Sequence, residues 1–177
     1  NAAARVAALL SGDVQMIETV PTADIGKLST DKRYALVDKV SNRVIYAHLN
    51  QRSDTAAPFI TGKDGKPLAK NPLKDPRVRK ALSIAINRDA IADRVMEKRA
   101  VPAGQLLPDF FFGTSKKLKP AKYDPEGAKK LLAEAGYPSG FAMTIHGTNN
   151  RYINDDKVAQ AIAQFYTRIG IDAKVET

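Results

Sequence analysis

The sequence predicts an α/β fold: a mixed sheet flanked by helices, and an incomplete one. Three observations predict it. Val78, Ala81, Leu82 and Ala85 lie on one face of a helix. Residues 141–175 read strand, helix, strand. There, Phe141, Met143 and Ile145 alternate with Ala142, Thr144 and His146, Val158, Ile162, Phe165 and Ile169 form a helical stripe, and Ile171, Ala173 and Val175 alternate again. A unit of that kind predicts two parallel strands with a right-handed crossover. Hydrophobic residues make up 44% of the 177, enough for a core. Sequence ends at Thr177, a few residues into the last strand, so the sheet is expected to lack strands.

The first elements follow from local signals. Residues 2–10 form a short helix with Val6, Leu9 and Leu10 on one side, stopped by Gly12 in the left-handed C-cap conformation. Residues 14–20 are apolar enough for a short strand. Pro21-Thr22 opens a helical turn, with Thr22 as cap and Ile25 and Leu28 three apart. Residues 34–40 and 43–50 are strand candidates joined by Ser41-Asn42. Ile45, Ala47 and Leu49 share one face and should meet a core. Tyr46, His48 and Asn50 share the other and should meet solvent, a neighbouring element or a cleft. Residues 51–74 are a long loop, with Asp64-Gly65 as a turn and a small hairpin tip over 62–66.

Strong helix signals come next. Asp75 is an N-cap and Pro76 the first helical residue. Asn87 ends that helix and caps a second one, whose inner side carries Ile91 and Val95. Pro102, Gly104 and Pro108 keep residues 100–112 irregular, and the Phe110-Phe111-Phe112 run is expected to pack this loop onto the core, with stacking on a ligand as the alternative. Asp124 and Pro125 start a third helix with Ala128, Leu131, Leu132 and Ala135 as its stripe, ended by Gly136.

Composition narrows function. Lys and Arg number 28 against 19 Asp and Glu, a net charge of +9, but the basic residues are scattered along the chain. A basic nucleic-acid-binding domain is the alternative reading, and it lacks a zinc-finger spacing or an RNA-binding aromatic motif. With no cysteine, disulfides and thiolate chemistry are excluded. No apolar run reaches the length of a membrane span. Neither His48 nor His146 belongs to a recognisable catalytic motif, and no glycine-rich phosphate loop is present. No enzyme activity, cofactor or metal is expected.

One loop carries chemistry. Residues 148–155 leave the C-terminal end of a strand and enter a helix, the end at which open α/β sheets bind ligands. A helix start offers free N–H groups to an anion. Asn149, Asn150 and Asn154 add amides, Arg151 a guanidinium fork for a carboxylate, and Tyr152 a ring and a hydroxyl. Alternatively, the Asn and Asp residues only shape turns and cap the helix.

Several strings resemble one family. The most specific is Asp-Pro-Arg-Val-Arg-Lys-Ala-Leu-Ser-Ile-Ala-Ile-Asn-Arg-Asp-Ala-Ile, residues 75–91. It is similar to the signature stretch of the family 5 extracytoplasmic solute-binding proteins of peptide and nickel ABC importers. Residues 5–16, Arg-Val-Ala-Ala-Leu-Leu-Ser-Gly-Asp-Val-Gln-Met, resemble another segment of that family, with Gln15 where an acidic residue is common. Pro-Ala-Gly-Gln-Leu-Leu-Pro at 102–108 and Tyr-Asp-Pro-Glu-Gly-Ala-Lys-Lys-Leu-Leu-Ala-Glu-Ala-Gly-Tyr-Pro at 123–138 are also similar.

The resemblance implies a lobe of the type II periplasmic-binding-protein kind, and an internal piece of a longer chain. Residues 1–42 would end the first lobe, 43–50 would be the crossing strand and hinge, and 51–177 would begin the second large lobe. Tyr46, His48 and Asn50 on the crossing strand join Asn149, Asn150, Arg151, Tyr152 and Asn154 as ligand-binding candidates. The implied partners are a small, peptide-like solute and an ABC permease in the membrane, with no nucleic acid. The implied place is periplasmic or extracytoplasmic and membrane-associated, with the signal outside this sequence. The free edge of the sheet could pair two copies into a homodimer.

Overall fold

A computed structural model describes residues 1–55 and 57–177. Its elements are α1 (Ala2–Ser11), α2 (Thr22–Thr30), β1 (Ile60–Thr61), α3 (Pro76–Ile84), α4 (Arg88–Ala90) continued by a π-helical turn (Ile91–Val95), α5 (Pro125–Glu134), β2 (Ala142–His146), α6 (Asp155–Arg168) and β3 (Asp172–Glu176).

Helix α3 forms as its sequence dictates. The Asp75 carboxylate accepts from the Arg77 N–H at 2.8 Å, which fills one orphan donor of the first turn. Val78, Ala81, Leu82 and Ala85 are buried at 0%, 0%, 1% and 0% exposure. Helix α5 starts the same way, with Asp124 accepting from the Gly127 N–H at 2.8 Å. The two helices pack antiparallel, and backbone groups fasten both ends. Arg77 donates to the Glu134 carbonyl at the end of α5 (2.6 Å), and the Asp124 N–H donates to the Ile84 carbonyl at the end of α3 (2.8 Å). Arg79 and Arg88 likewise donate to carbonyls, of Leu73 and Lys74 and of Ser83 and Ile86. The arginines of this stretch are therefore occupied in holding the fold.

The sheet has three strands in the order β1-β2-β3. β2 and β3 run parallel, with Ala142 opposite Asp172 and His146 opposite Glu176, and α6 crosses between them. β1 adds antiparallel, Ile60 opposite Met143. The sheet is thus mixed. Phe141, Met143, Ile169 and Ile171 join the α3 and α5 faces in one core, which also takes Phe165 and Tyr166 from α6. The outer edge of β3 pairs with no strand among the described residues.

Several expectations fail. Residues 14–20 form no strand: Val14 and Met16 are exposed and, among the described residues, no ladder takes them up. Residues 34–40 and 43–50 are not strands either. Of the face expected to meet a core, Ile45 and Ala47 are exposed and only Leu49 packs on it. Alternation makes a strand only when a neighbouring backbone completes its ladder, and among the described residues none does. Thr22 is not a side-chain cap: Pro21 holds the N-cap position, and the Thr22 hydroxyl is spent elsewhere. On the turn after α4, the π-helical widening puts Ala92 and Met96 inside, with Ile91 and Val95 only half-buried.

The Phe110-Phe111-Phe112 run does not pack on the core. Phe110 is 67% exposed and Phe112 fully so. The loop closes on itself instead. Gln105 accepts from the Ser115 N–H at 2.9 Å and donates to the Asp109 carboxylate at 3.0 Å. At its neck, Gly104 lies so near the 118–120 backbone that a Cβ would sit 2.5 Å from the Lys119 carbonyl carbon.

Candidate functional site

Strand β2 ends at His146, and the chain then turns through residues 147–154 into the first turn of α6. Asp155 organises that turn. It is 8% exposed, and its Oδ2 accepts from the Thr148 hydroxyl at 2.5 Å and from the N–H groups of Arg151 and Tyr152 at 3.0 Å each. Its Oδ1 accepts from the Asp156 N–H at 3.0 Å. One carboxylate so replaces water for a whole loop of backbone donors. Burial pushes the Asp155 carboxyl up. The Thr148 hydroxyl and the Tyr152, Arg151 and Asp156 N–H groups outweigh it, and the pKa lies below the ordinary aspartate value.

That direction fixes a pH dependence. A depressed folded-state pKa contributes stability that is full above the unfolded value, about 4, and is lost as pH falls through the lower folded value. The amide proton shifts of Arg151 and Tyr152 are expected to stay constant from neutral pH to about pH 5 and to move together below about pH 4. Shifts that titrate near neutrality would contradict Asp155 as the loop's organiser.

With the backbone fixed, the side chains divide into free and engaged. The Arg151 guanidinium lies over the Tyr152 ring, 5.3 Å from its centroid. Among the described residues it makes no ion pair, so its fork is open to a carboxylate. Asn149 donates weakly to the Thr177 hydroxyl at 3.4 Å, and Asn150 is exposed. Asn154 stands at φ 54, and its amide is taken up by the Val95 carbonyl at 2.8 Å and the Thr22 hydroxyl at 3.0 Å. Beside the loop, His146 sits 3.2 Å from Glu176 across the parallel pair, with the Phe59 ring edge-on to it at 4.4 Å.

The structure does not bring the second group to this loop. Among the described residues, no hydrogen bond, ion pair or ring contact joins Tyr46, His48 or Asn50 to residues 148–155. Tyr46 is 66% exposed. His48 and Asn50 line a shallow surface hollow with Leu49, Gln51 and Arg52. Asn50 turns its side-chain oxygen back to the Arg52 N–H at 3.1 Å. Its carbonyl accepts from buried Asn71, whose amide also reaches the Ser53 carbonyl, at 2.9 and 3.0 Å. Asn71 thereby fastens the exit of the 43–50 segment to the body of the fold. Among the described residues, no group of acidic residues and histidines is arranged to hold a metal ion.

Comparison with known proteins bears on the whole chain. The pattern described as bacterial extracellular solute-binding proteins, family 5 middle, matches residues 1–177. The chain is 31% identical to the dipeptide-binding protein of Escherichia coli over its full length and 32% identical to the glutathione-binding protein GsiB of Shigella flexneri over 97% of it. It spans about 30% of the length of each. Among solved structures, it resembles the periplasmic binding protein DppA of Helicobacter pylori in complex with peptide STSA. There the TM-score is 0.71 at 28% identity, covering 99% of this chain and 30% of that one. It also resembles AgaA of A. tumefaciens in complex with agropinic acid, with TM-score 0.69 at 27% identity, covering 99% of this chain and 32% of that one. The small mixed sheet with its helices is thus part of a periplasmic-binding-protein lobe. Sequence and fold agree: the chain belongs to family 5 of the bacterial extracellular solute-binding proteins.

Proposed function

We propose that the chain is part of a two-lobed trap that captures a peptide-like solute outside the cytoplasm and delivers it to an ABC permease. In this reading residues 1–42 end one lobe, 43–50 cross between lobes and form the hinge, and 51–177 begin the second lobe. The carrying observation is the 148–155 loop. It lies at the ligand-binding end of a parallel strand pair, is held in shape by Asp155, and leaves the Arg151 guanidinium open. A peptide ends in a carboxylate, which a planar guanidinium grips with two parallel hydrogen bonds. Asn149, Asn150 and Tyr152 supply further polar contacts, and Asn154 contributes by holding the loop. Tyr46, His48 and Asn50 come to the solute when the lobes close, a population shift driven by contacts from both sides. The family binds solutes, and no catalytic step belongs to the reading. No helix among the described residues is long and apolar enough to cross a membrane. Attachment to the membrane would then come through the permease or through an anchor elsewhere. The outer edge of β3, which pairs with no strand among the described residues, is where two copies of this chain would associate.

Shared contacts set the affinity. If each lobe supplies half of a micromolar site near −8 kcal/mol, this chain alone retains about −4 kcal/mol, or millimolar binding. Calorimetry with a dipeptide is expected to show at most millimolar affinity. Micromolar affinity would show that the solute needs no second lobe.

A further inference from the structure

The hydrogen bond between Asn154 and Thr22 links residues 132 apart, and it belongs to a closed network. Asn154 donates one amide hydrogen to the Val95 carbonyl at 2.8 Å and the other to the Thr22 hydroxyl at 3.0 Å. Thr22, 5% exposed, donates its single hydroxyl hydrogen to the Glu97 carboxylate at 3.1 Å. Every hydrogen is accounted for, so the direction of each bond is fixed: the hydroxyl gives to Glu97 and can only accept from Asn154. Glu97, Lys98 and Asn154 all hold left-handed backbone, at φ 49, 63 and 54, a conformation that non-glycine residues keep only where surroundings enforce it. A second tie runs parallel, with Arg99 paired to Asp38 at 2.6 Å. Both ties leave the segment before the crossing stretch and end on the turn at 97–99. One of them continues into the 148–155 loop.

We propose that Thr22 is a positioning residue for the solute loop: through its hydroxyl the 1–42 segment holds Asn154, and with it the loop that carries Arg151. Movement of that segment against the rest of the fold breaks the Thr22 bonds and releases the loop. Lobe position and loop shape then change together. The proposal rests on the reading of 148–155 as the solute-facing surface, and its test needs no solute.

The test is amide hydrogen exchange, residue by residue, on the chain as it stands. Thr22→Val keeps the shape and removes the hydroxyl. It is expected to speed exchange at the Arg151 and Tyr152 amides about five- to tenfold, the change that goes with losing one hydrogen bond of ordinary net strength. The Thr144 and Asp172 amides, bonded in the sheet to the Phe59 and Phe141 carbonyls, should keep their wild-type rates. Thr22→Ser restores the hydroxyl and should restore protection. Glu97→Ala, at an exposed side chain, should reproduce a smaller part of the effect by freeing the hydroxyl to turn away. Unchanged exchange at Arg151 and Tyr152 in Thr22→Val would overturn the proposal. So would an equal rise at Thr144 and Asp172, which would make Thr22 a residue of general stability. A failed dipeptide titration beside the expected exchange pattern would sink the solute reading and leave the coupling standing.

Discussion

Leu82→Ala is expected to lower the unfolding free energy by about 3–4 kcal/mol, the middle of the range for emptying a leucine site in a closed core. Leu82 is 1% exposed in the cluster where α3, α5 and the sheet meet. The same cluster holds Ala81 and Ala128, both at 0% exposure, and a methyl group has no rotamer with which to refill a cavity. In contrast, Val37, 85% exposed, should tolerate alanine within about 0.5 kcal/mol. Urea unfolding of the two variants checks both numbers. Equal midpoints would mean that α3 is not packed as described.

Gly140→Ala should cost about 3 kcal/mol, from overpacking and backbone strain together. Gly140 stands at φ +72 just before β2, and an added Cβ would lie 2.0 Å from the Gly170 carbonyl oxygen, just before β3. That atom is backbone and cannot swing aside. Two glycines thus let the chain pass close to itself where the parallel strands begin, and the register of β2 on β3 depends on it. Thermal unfolding of Gly140→Ala beside Gly136→Ala separates the causes. Gly136, at φ +92, has open space around it and carries only the conformational penalty. A Gly140→Ala variant no less stable than Gly136→Ala would refute the close approach.

Much of the fold was legible because its signals are local. Asp75, Asn87 and Asp124 each cap the helix their position predicts, and Gly12, Gly136 and Gly170 take left-handed backbone at or just beyond helix ends. The parallel pair followed from alternation on either side of a helical stripe. β1 was not legible: a strand of two residues has no period, and Ile60 joins the sheet only because β2 lies beside it. The alternation in 43–50 misled for the opposite reason, since a pattern suited to a ladder does not supply one. For the candidate site, topology put the loop between a strand end and a helix start, and turn-shaping by its Asn and Asp residues was one of the readings, but which residue would do it could not be read. Asp155 reads as one more acid in a first helical turn until the loop folds back over it. Asn154 reads as a cap or ligand contact until Thr22, far away in sequence, arrives to accept its hydrogen.

The solute reading is tested most directly by following amide shifts through a dipeptide titration of this chain. Saturable, millimolar-range shifts centred on residues 148–156 are expected, greatly reduced in Arg151→Ala. Shifts centred elsewhere on the fold, or the same response in Arg151→Ala, would contradict it.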